Sequence, residues 1–240
     1  VDPYQASTGQ VSLQLWADMP GSVVADGVPV SLSLGAGQNA RLAFAGTQGQ
    51  NLGVGLSNLV TTPSGGSVAV KVYAPDNVTV VQSCSSYAVP GGECDLPSLP
   101  STGTYTIWLD DGTAAATLNL TLSNDAAGTL VANGAPLTFS TTRVGQNARY
   151  TFSGTAGQNL SLAWSGATFV GTWSYLTVYK PDGTQLAQVL FAGNQNPNGA
   201  LDLPNLPATG TYMVSVDPYQ ASTGQVSLQL WADMPGSVVA

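Results

Sequence analysis

With 240 residues, 43% of them hydrophobic and only 8% charged, the chain has apolar matter for two ordinary domains, and its surface must be clothed in Ser, Thr, Asn, Gln and Gly. Its wealth of Val, Leu, Thr, Tyr and Trp excludes a disordered chain. Five scattered basic residues (Arg41, Lys71, Arg143, Arg149 and Lys180) against 13 acidic ones exclude a nucleic-acid-binding stripe and a polybasic membrane anchor, and no apolar run approaches the about 20 residues of a membrane span.

The first 25 residues, VDPYQASTGQVSLQLWADMPGSVVA, recur letter for letter at 216–240, an offset of 215. Identity over such a length marks one period of a repetitive parent plus an overlap. Within the first copy, Val11, Leu13 and Leu15 alternate with Ser12, Gln14 and Trp16. Period two predicts a strand with one face in a core. An unguarded apolar strand of this kind invites pairing, and the chain holds only two Lys with which to guard edges. Residues 1–20 are therefore expected to be the tail strand of a preceding repeat, covered by another copy of the chain head-to-tail, with Trp16 and Trp231 at the junctions. The rival expectation is that they fold back on their own domain.

The remaining chain divides into two diverged halves, expected as repeat A at 21–127 and repeat B at 128–235, with 236–240 opening the next repeat. GQNAR at 37–41 recurs at 145–149, VYAPD at 72–76 as VYKPD at 178–182, and DLPSLPSTGTYT from Asp95 as DLPNLPATGTYM from Asp202. Val68, Val70 and Val72, then Tyr105, Ile107 and Leu109, alternate with polar or small neighbours. The pairs Asp26-Gly27 and Asn133-Gly134 and the turn Pro181-Asp182-Gly183 punctuate these runs and predict tight hairpins. About eight short strands per half and no helix predict an all-β fold of tandem antiparallel sandwiches, jelly-roll-like.

Cys84 and Cys94 flank a short Ser/Gly/Pro-containing segment and align with Leu190 and Leu201 of the other half. A disulfide across paired strands is the expected reading; a metal site would need more ligands, and the chain has no His and one Glu, Glu93. Without His, no Ser-His-Asp or Cys-His arrangement is available, and no phosphate loop is present. The carboxylate pairs Asp110/Asp111 and Glu93/Asp95 are read as solvated groups at strand ends rather than as a glycosidase pair. The chain is thus expected not to be an enzyme. No cofactor is expected, calcium excepted: Asp110, Asp111 and Asp217 (with its copy Asp2) lie at strand ends where a hard cation could collect oxygens. Asp76 and Asp182 sit in corresponding turns, where Asp ordinarily caps its own backbone. With nothing of unperturbed pKa titrating between pH 5 and 8, stability is expected to be flat there unless an Asp is strongly shifted. Trp173, Tyr175, Trp16 and Trp231 are outward aromatics suited either to a domain–domain contact or to stacking on carbohydrate.

The series GQNARYTFSGTAGQNLSL, VYKPDG and LDLPNLPATGTYMVSV resembles the pre-peptidase C-terminal type of domain, over both halves from about Val28 and Ala135 onward. The resemblance implies a jelly-roll-like sandwich, an extracellular bacterial location, and a role as accessory or spacer module. Together with the 215-residue period it leads to the expectation of a structural repeat of a giant extracellular or cell-surface protein (filament, stalk or adhesin array). The alternatives are a carbohydrate- or surface-binding module and an accessory domain of a secreted hydrolase.

Overall fold

The computed structural model describes residues 8–87, 91–169 and 173–233, and these form two β-sandwiches with no helix among them. Domain A contains β1 (Met19–Ser22), β2 (Val30–Leu34), β3 (Ala40–Gly46), β4 (Leu52–Thr62), β5 (Ser67–Tyr73), β6 (Val80–Tyr87), β7 (Gly91–Asp95), β8 (Gly103–Asp110) and β9 (Ala115–Asn124). Domain B repeats the set as β10 (Ala126–Thr129), β11 (Leu137–Thr141), β12 (Ala148–Gly154), β13 (Leu160–Ser165), β14 (Ser174–Tyr179), β15 (Gln185–Phe191), β16 (Gly199–Leu203), β17 (Gly210–Asp217) and β18 (Gly224–Ala232). Each domain faces a five-stranded sheet, β1-β3-β8-β5-β6 or β10-β12-β17-β14-β15, with a four-stranded one, β2-β9-β4-β7 or β11-β18-β13-β16. Each has nine strands rather than eight. The ninth is a short opening strand that pairs in parallel, β1 with β3 and β10 with β12, so the sheets are not purely antiparallel. These strands begin at Met19 and Ala126, two residues ahead of the divisions expected at 21 and 128. A single residue, Asp125, separates β9 from β10.

The alternation read from the sequence places side chains as anticipated. Val68, Val70 and Val72 of β5 and Tyr105, Ile107 and Leu109 of β8 are all buried. Phe44 stacks on Tyr105 at 5.3 Å, and Phe152 on Tyr212 at 5.1 Å. Each tyrosine hydroxyl donates to a carbonyl four residues back, Ser101 at 2.6 Å and Ala208 at 2.7 Å, so the phenol's polar end is satisfied inside the core.

Three expectations are corrected. Asp26 and Asn133 do take positive φ, 59° and 60°, but they join strands of opposite sheets instead of closing hairpins. Their side chains accept from the ends of the last strands, Asn124 N at 3.0 Å and Ala232 N at 3.1 Å. Residues 10–16 form no strand: Val11, Leu13 and Leu15 are exposed, whereas their identical copies Val226, Leu228 and Leu230 are buried in β18. Finally, the disulfide between Cys84 and Cys94 crosses between sheets, from β6 to β7, and not between paired strands. Cys84 pairs with Val70 as Val189 pairs with Leu176, so its counterpart is Val189 and not Leu190.

The bond closes a short loop and ties an edge strand of one sheet to an edge strand of the other. Replacing both cysteines by Ala should lower unfolding stability by about 2–3 kcal/mol, read as a reduced denaturant midpoint. An unchanged midpoint would mean that packing alone holds β7.

Candidate functional site

The two domains make their tightest contact through backbone, with side-chain hydrogen bonds around it. The loop before β12 lies on β4 so closely that a Cβ at Gly53 would stand 1.8 Å from the Gly145 carbonyl oxygen, and one at Gly55 would stand 2.0 Å from that of Val144. Gly145 itself has φ +77°, a conformation glycine adopts without strain. Around this contact Thr121 Oγ1 donates to Val144 O at 2.9 Å, Arg143 donates to Ser123 Oγ at 3.0 Å and to Leu122 O at 3.2 Å, and Gln146 Nε2 donates to Asn124 O at 3.3 Å.

This seating brings carboxylates of both domains together. Glu93 and Asp95 stand on one face of β7 because Cys94 between them points into the core. Asp217 ends β17, and Asp125 is the linker itself. One oxygen from each of Glu93, Asp95 and Asp217 lies within 4.8 Å of the others. Gln220 N donates to Glu93 Oε1 at 2.9 Å, Asn147 Nδ2 donates to Asp95 Oδ1, and Arg149 Nε donates to Asp125 Oδ2 at 2.6 Å. Four further oxygens, Glu93 Oε2, Asp125 Oδ1, Asn147 Oδ1 and Asp217 Oδ1, are buried without a hydrogen-bond partner. Burial, reinforced by the charges of Asp217 and Asp95, pushes the Glu93 carboxyl up to about 10. Burial and the charge of Asp95 raise Asp217 to about 7, against the opposing pull of Arg149. Asp95 and Asp125 are also raised, first by burial, with Asn147 and Arg149 respectively acting the other way.

Of the three acidic residues singled out from sequence, only Asp217 belongs to this cluster. Asp110 caps Gly112 N at 2.8 Å, and Asp111, 2% exposed, stands apart with both carboxyl oxygens unpartnered; burial raises it to about 6. Glu93 and Asp95, read from sequence as solvated, are in fact largely buried by domain B. Asp76 and Asp182 do cap their own turns, accepting from Thr79 N at 2.8 Å and Thr184 N at 2.9 Å. Trp173 and Tyr175 are half-buried rather than displayed, and Tyr175 sits opposite Asp217 in the ladder.

Trp16 and Trp231 are copies of one repeat position that lie at opposite ends of the chain. Trp16 packs on the loop before β3, its Nε1 donating to Ala36 O at 3.0 Å. Gln38 Nε2 donates to Ala17 O at 3.2 Å, and Arg41 Nε to Asp18 at 2.6 Å. This is the bonding of Gln146 to Asn124 and of Arg149 to Asp125, repeated at the other end of domain A. Trp231 is 45% exposed at the far end of domain B. Beside it opens a cleft of about 380 Å³ lined by Asn159, Leu160, Asp202, Pro204 and Asp233. The matching residues of domain A are Asn51, Leu52, Asp95, Pro97 and Asp125, of which Asp95 and Asp125 bond to domain B at the A–B junction.

Residues 146–218 match the bacterial pre-peptidase C-terminal domain. The matched span lies within domain B, whose β-sandwich is consistent with a domain of that type. The periplasmic g-type lysozyme inhibitor PliG of Aeromonas hydrophila is 18% identical, over 45% of this chain and 99% of its own, with a TM-score of 0.31. The CUB1-EGF-CUB2 domains of human MASP-1/3 are 8% identical, over 84% and 99%, with a TM-score of 0.27. The M60 catalytic domain of Clostridium perfringens ZmpB with its two CBM51 domains is 9% identical, over 84% and 34%, with a TM-score of 0.24. No curated protein matches the chain. The family match and the disulfide fit an extracellular or periplasmic module. No helix among the described residues is long and apolar enough to cross a membrane.

Two outcomes follow from the junction. Gly53→Ala and Gly55→Ala should unseat the 143–147 loop and split calorimetric unfolding into two transitions, each domain staying folded; a single unaltered transition would show that the loop can yield. The raised carboxyls also give stability a slope with pH. Folded pKa values above the unfolded ones, near 4, mean stability that is complete below that range and lost as pH rises through about 6 to 7. In metal-free buffer Tm should fall by several degrees between pH 5 and 8, against the flat profile expected from a chain without His. A constant or rising Tm would show these carboxylates to be stabilised as anions.

Proposed function

We propose that the chain is one period of a non-enzymatic extracellular scaffold in which A and B sandwiches alternate head-to-tail, as in a filament, stalk or adhesin array at a bacterial surface. One observation carries the reading. Residues 14–18 bind the front of domain A through the pattern by which residues 121–125 bind the front of domain B, and 14–18 are identical to 229–233 at the end of β18. The end of domain B therefore carries the sequence that domain A receives. Placing a domain A there would cover Trp231 with Gly35 and Ala36 and would set Asn39 against Asp202, as Asn147 is set against Asp95.

The two kinds of junction are complementary in opposite senses. At A–B the large residue is Arg143 on the incoming loop, over Ser123. At B–A the large residue is Trp231 on the outgoing strand, over Gly35, where a Cβ would come within 2.6 Å of the Trp16 ring. Pairing A with A would oppose Ser123 to Gly35 and leave a void; pairing B with B would oppose Trp231 to Arg143 and overfill the site. Alternation of the two domains is thereby favoured.

An accessory role beside a secreted hydrolase is the second reading, favoured by the family match at 146–218. Carbohydrate stacking has less support, since Trp173 and Tyr175 offer no open platform.

A chain of two consecutive periods should scatter X-rays as an extended particle of about twice the maximum dimension of one period, with Trp231 emission shifted to the blue. Trp231→Ser should loosen the central junction and broaden the distance distribution. Free reorientation of the two periods in the unsubstituted tandem would overturn the proposal.

A further inference from the structure

We propose that the A–B junction binds one calcium ion, held by Glu93 and Asp95 of domain A and by Asp217 and Asn147 of domain B, and that this ion fixes the two domains to each other. Three carboxylates supply oxygens within 4.8 Å of one another, a separation that one cation can bridge. The donor set is all oxygen, without His or thiolate, which suits a hard cation.

A second observation, independent of the acidic cluster, points to a ligand. Asn147 is 2% exposed, and its amide lies in the cluster, with Nδ2 on Asp95. Its Oδ1 has no donor. A buried amide oxygen without a partner has lost its water for nothing in return, and an ion supplies the missing contact. The Asp125 side chain is 4% exposed and is in the same condition: Arg149 takes Oδ2, and Oδ1 is left over. Four carboxylates thus face one guanidinium, and the oxygens of Glu93, Asp95, Asp217 and Asn147 are those that calcium, which takes 6–8 oxygens in flexible geometry and fills its shell with water, would gather. Magnesium prefers to keep its own waters and a strict octahedron, so a cage built from two domains suits it less.

The repeat predicts the stoichiometry. At the opposite junction Asp202, Asp110, Asn39, Asp18 and Arg41 stand in for Asp95, Asp217, Asn147, Asp125 and Arg149, but Ala200 replaces Glu93. Asp110 is already engaged in capping Gly112. The complete set therefore occurs once in 215 residues. This inference concerns the junction within one chain and stands apart from the scaffold proposal.

The test is calorimetric titration of calcium chloride into the chelator-treated 240-residue chain at pH 7.5. One site is expected, with Kd between about 10⁻⁵ and 10⁻³ M, the range of weak sensors and extracellular modules. Millimolar calcium should raise Tm by several degrees. Asp217→Asn and Glu93→Gln should each weaken binding at least tenfold and abolish the Tm shift, with the circular dichroism of the folded chain retained. Asp110→Asn should leave both unchanged. No heat and no Tm shift at 5 mM calcium, or binding that survives the Asp217→Asn/Glu93→Gln double substitution, would overturn the proposal. So would a Glu93→Gln variant that gains stability in chelator while the unsubstituted chain ignores calcium, since the cluster would then be held by protons.

Discussion

The carbonyl oxygens of Val144 and Gly145 lie where side chains on β4 would otherwise be, and only glycine at 53 and 55 admits them. From that contact the rest of the junction follows. It sets Arg143 over Ser123, and it carries β12 and β17 far enough forward that Asn147 and Asp217 reach β7. Backbone contact leaves few rotamers to choose among, so the relative placement of the domains costs little side-chain entropy. The cluster of carboxylates is then a consequence of seating and not its cause, because four buried acids facing one guanidinium would not draw two domains together unaided.

The disulfide belongs to the same construction. Cys94 lies between Glu93 and Asp95, so the bond that pulls its side chain inward also presents both carboxylates outward. Domain B fills the corresponding position with Leu201, and there Ala200 replaces the glutamate. The half that bears the acidic face is the half whose edge strand is covalently held. An edge strand is the least restrained part of a sheet, and β7 has a neighbour on one side only, β4.

Much of the architecture is legible in the sequence, because period-two alternation is a local signal and both faces of a sandwich obey it. What was misread depends on chain path. Asx-Gly pairs indicate positive φ, but in these sandwiches the connection after the first strand crosses to the other sheet, so a turn signal is not a hairpin. The match of Cys84 to Leu190 fails because the turn after β5 is one residue longer than that after β14, which shifts the positions of β6 by one against β15. Residues 10–16 alternate as a strand should, yet become one only in the copy that has β11 and β13 beside it. Asp217 could be suspected from sequence, but its companions could not, since they come from another domain and no spacing rule connects them. The one available signal was Glu93-Cys94-Asp95, two acids flanking an inward cysteine and hence sharing a face.

The linker of one residue has a geometric consequence. With only Asp125 between β9 and β10, and with that residue tied to Arg149, the rotation from one sandwich to the next is a fixed quantity rather than a distribution. Asp18 is tied to Arg41 in the same way at the front of domain A. In the proposed array, two such rotations in alternation would compound into one constant screw operation per 215 residues. A chain built by repeating that operation would wind with a definite pitch and handedness, and its surface residues would return to the same bearing at regular intervals along the axis.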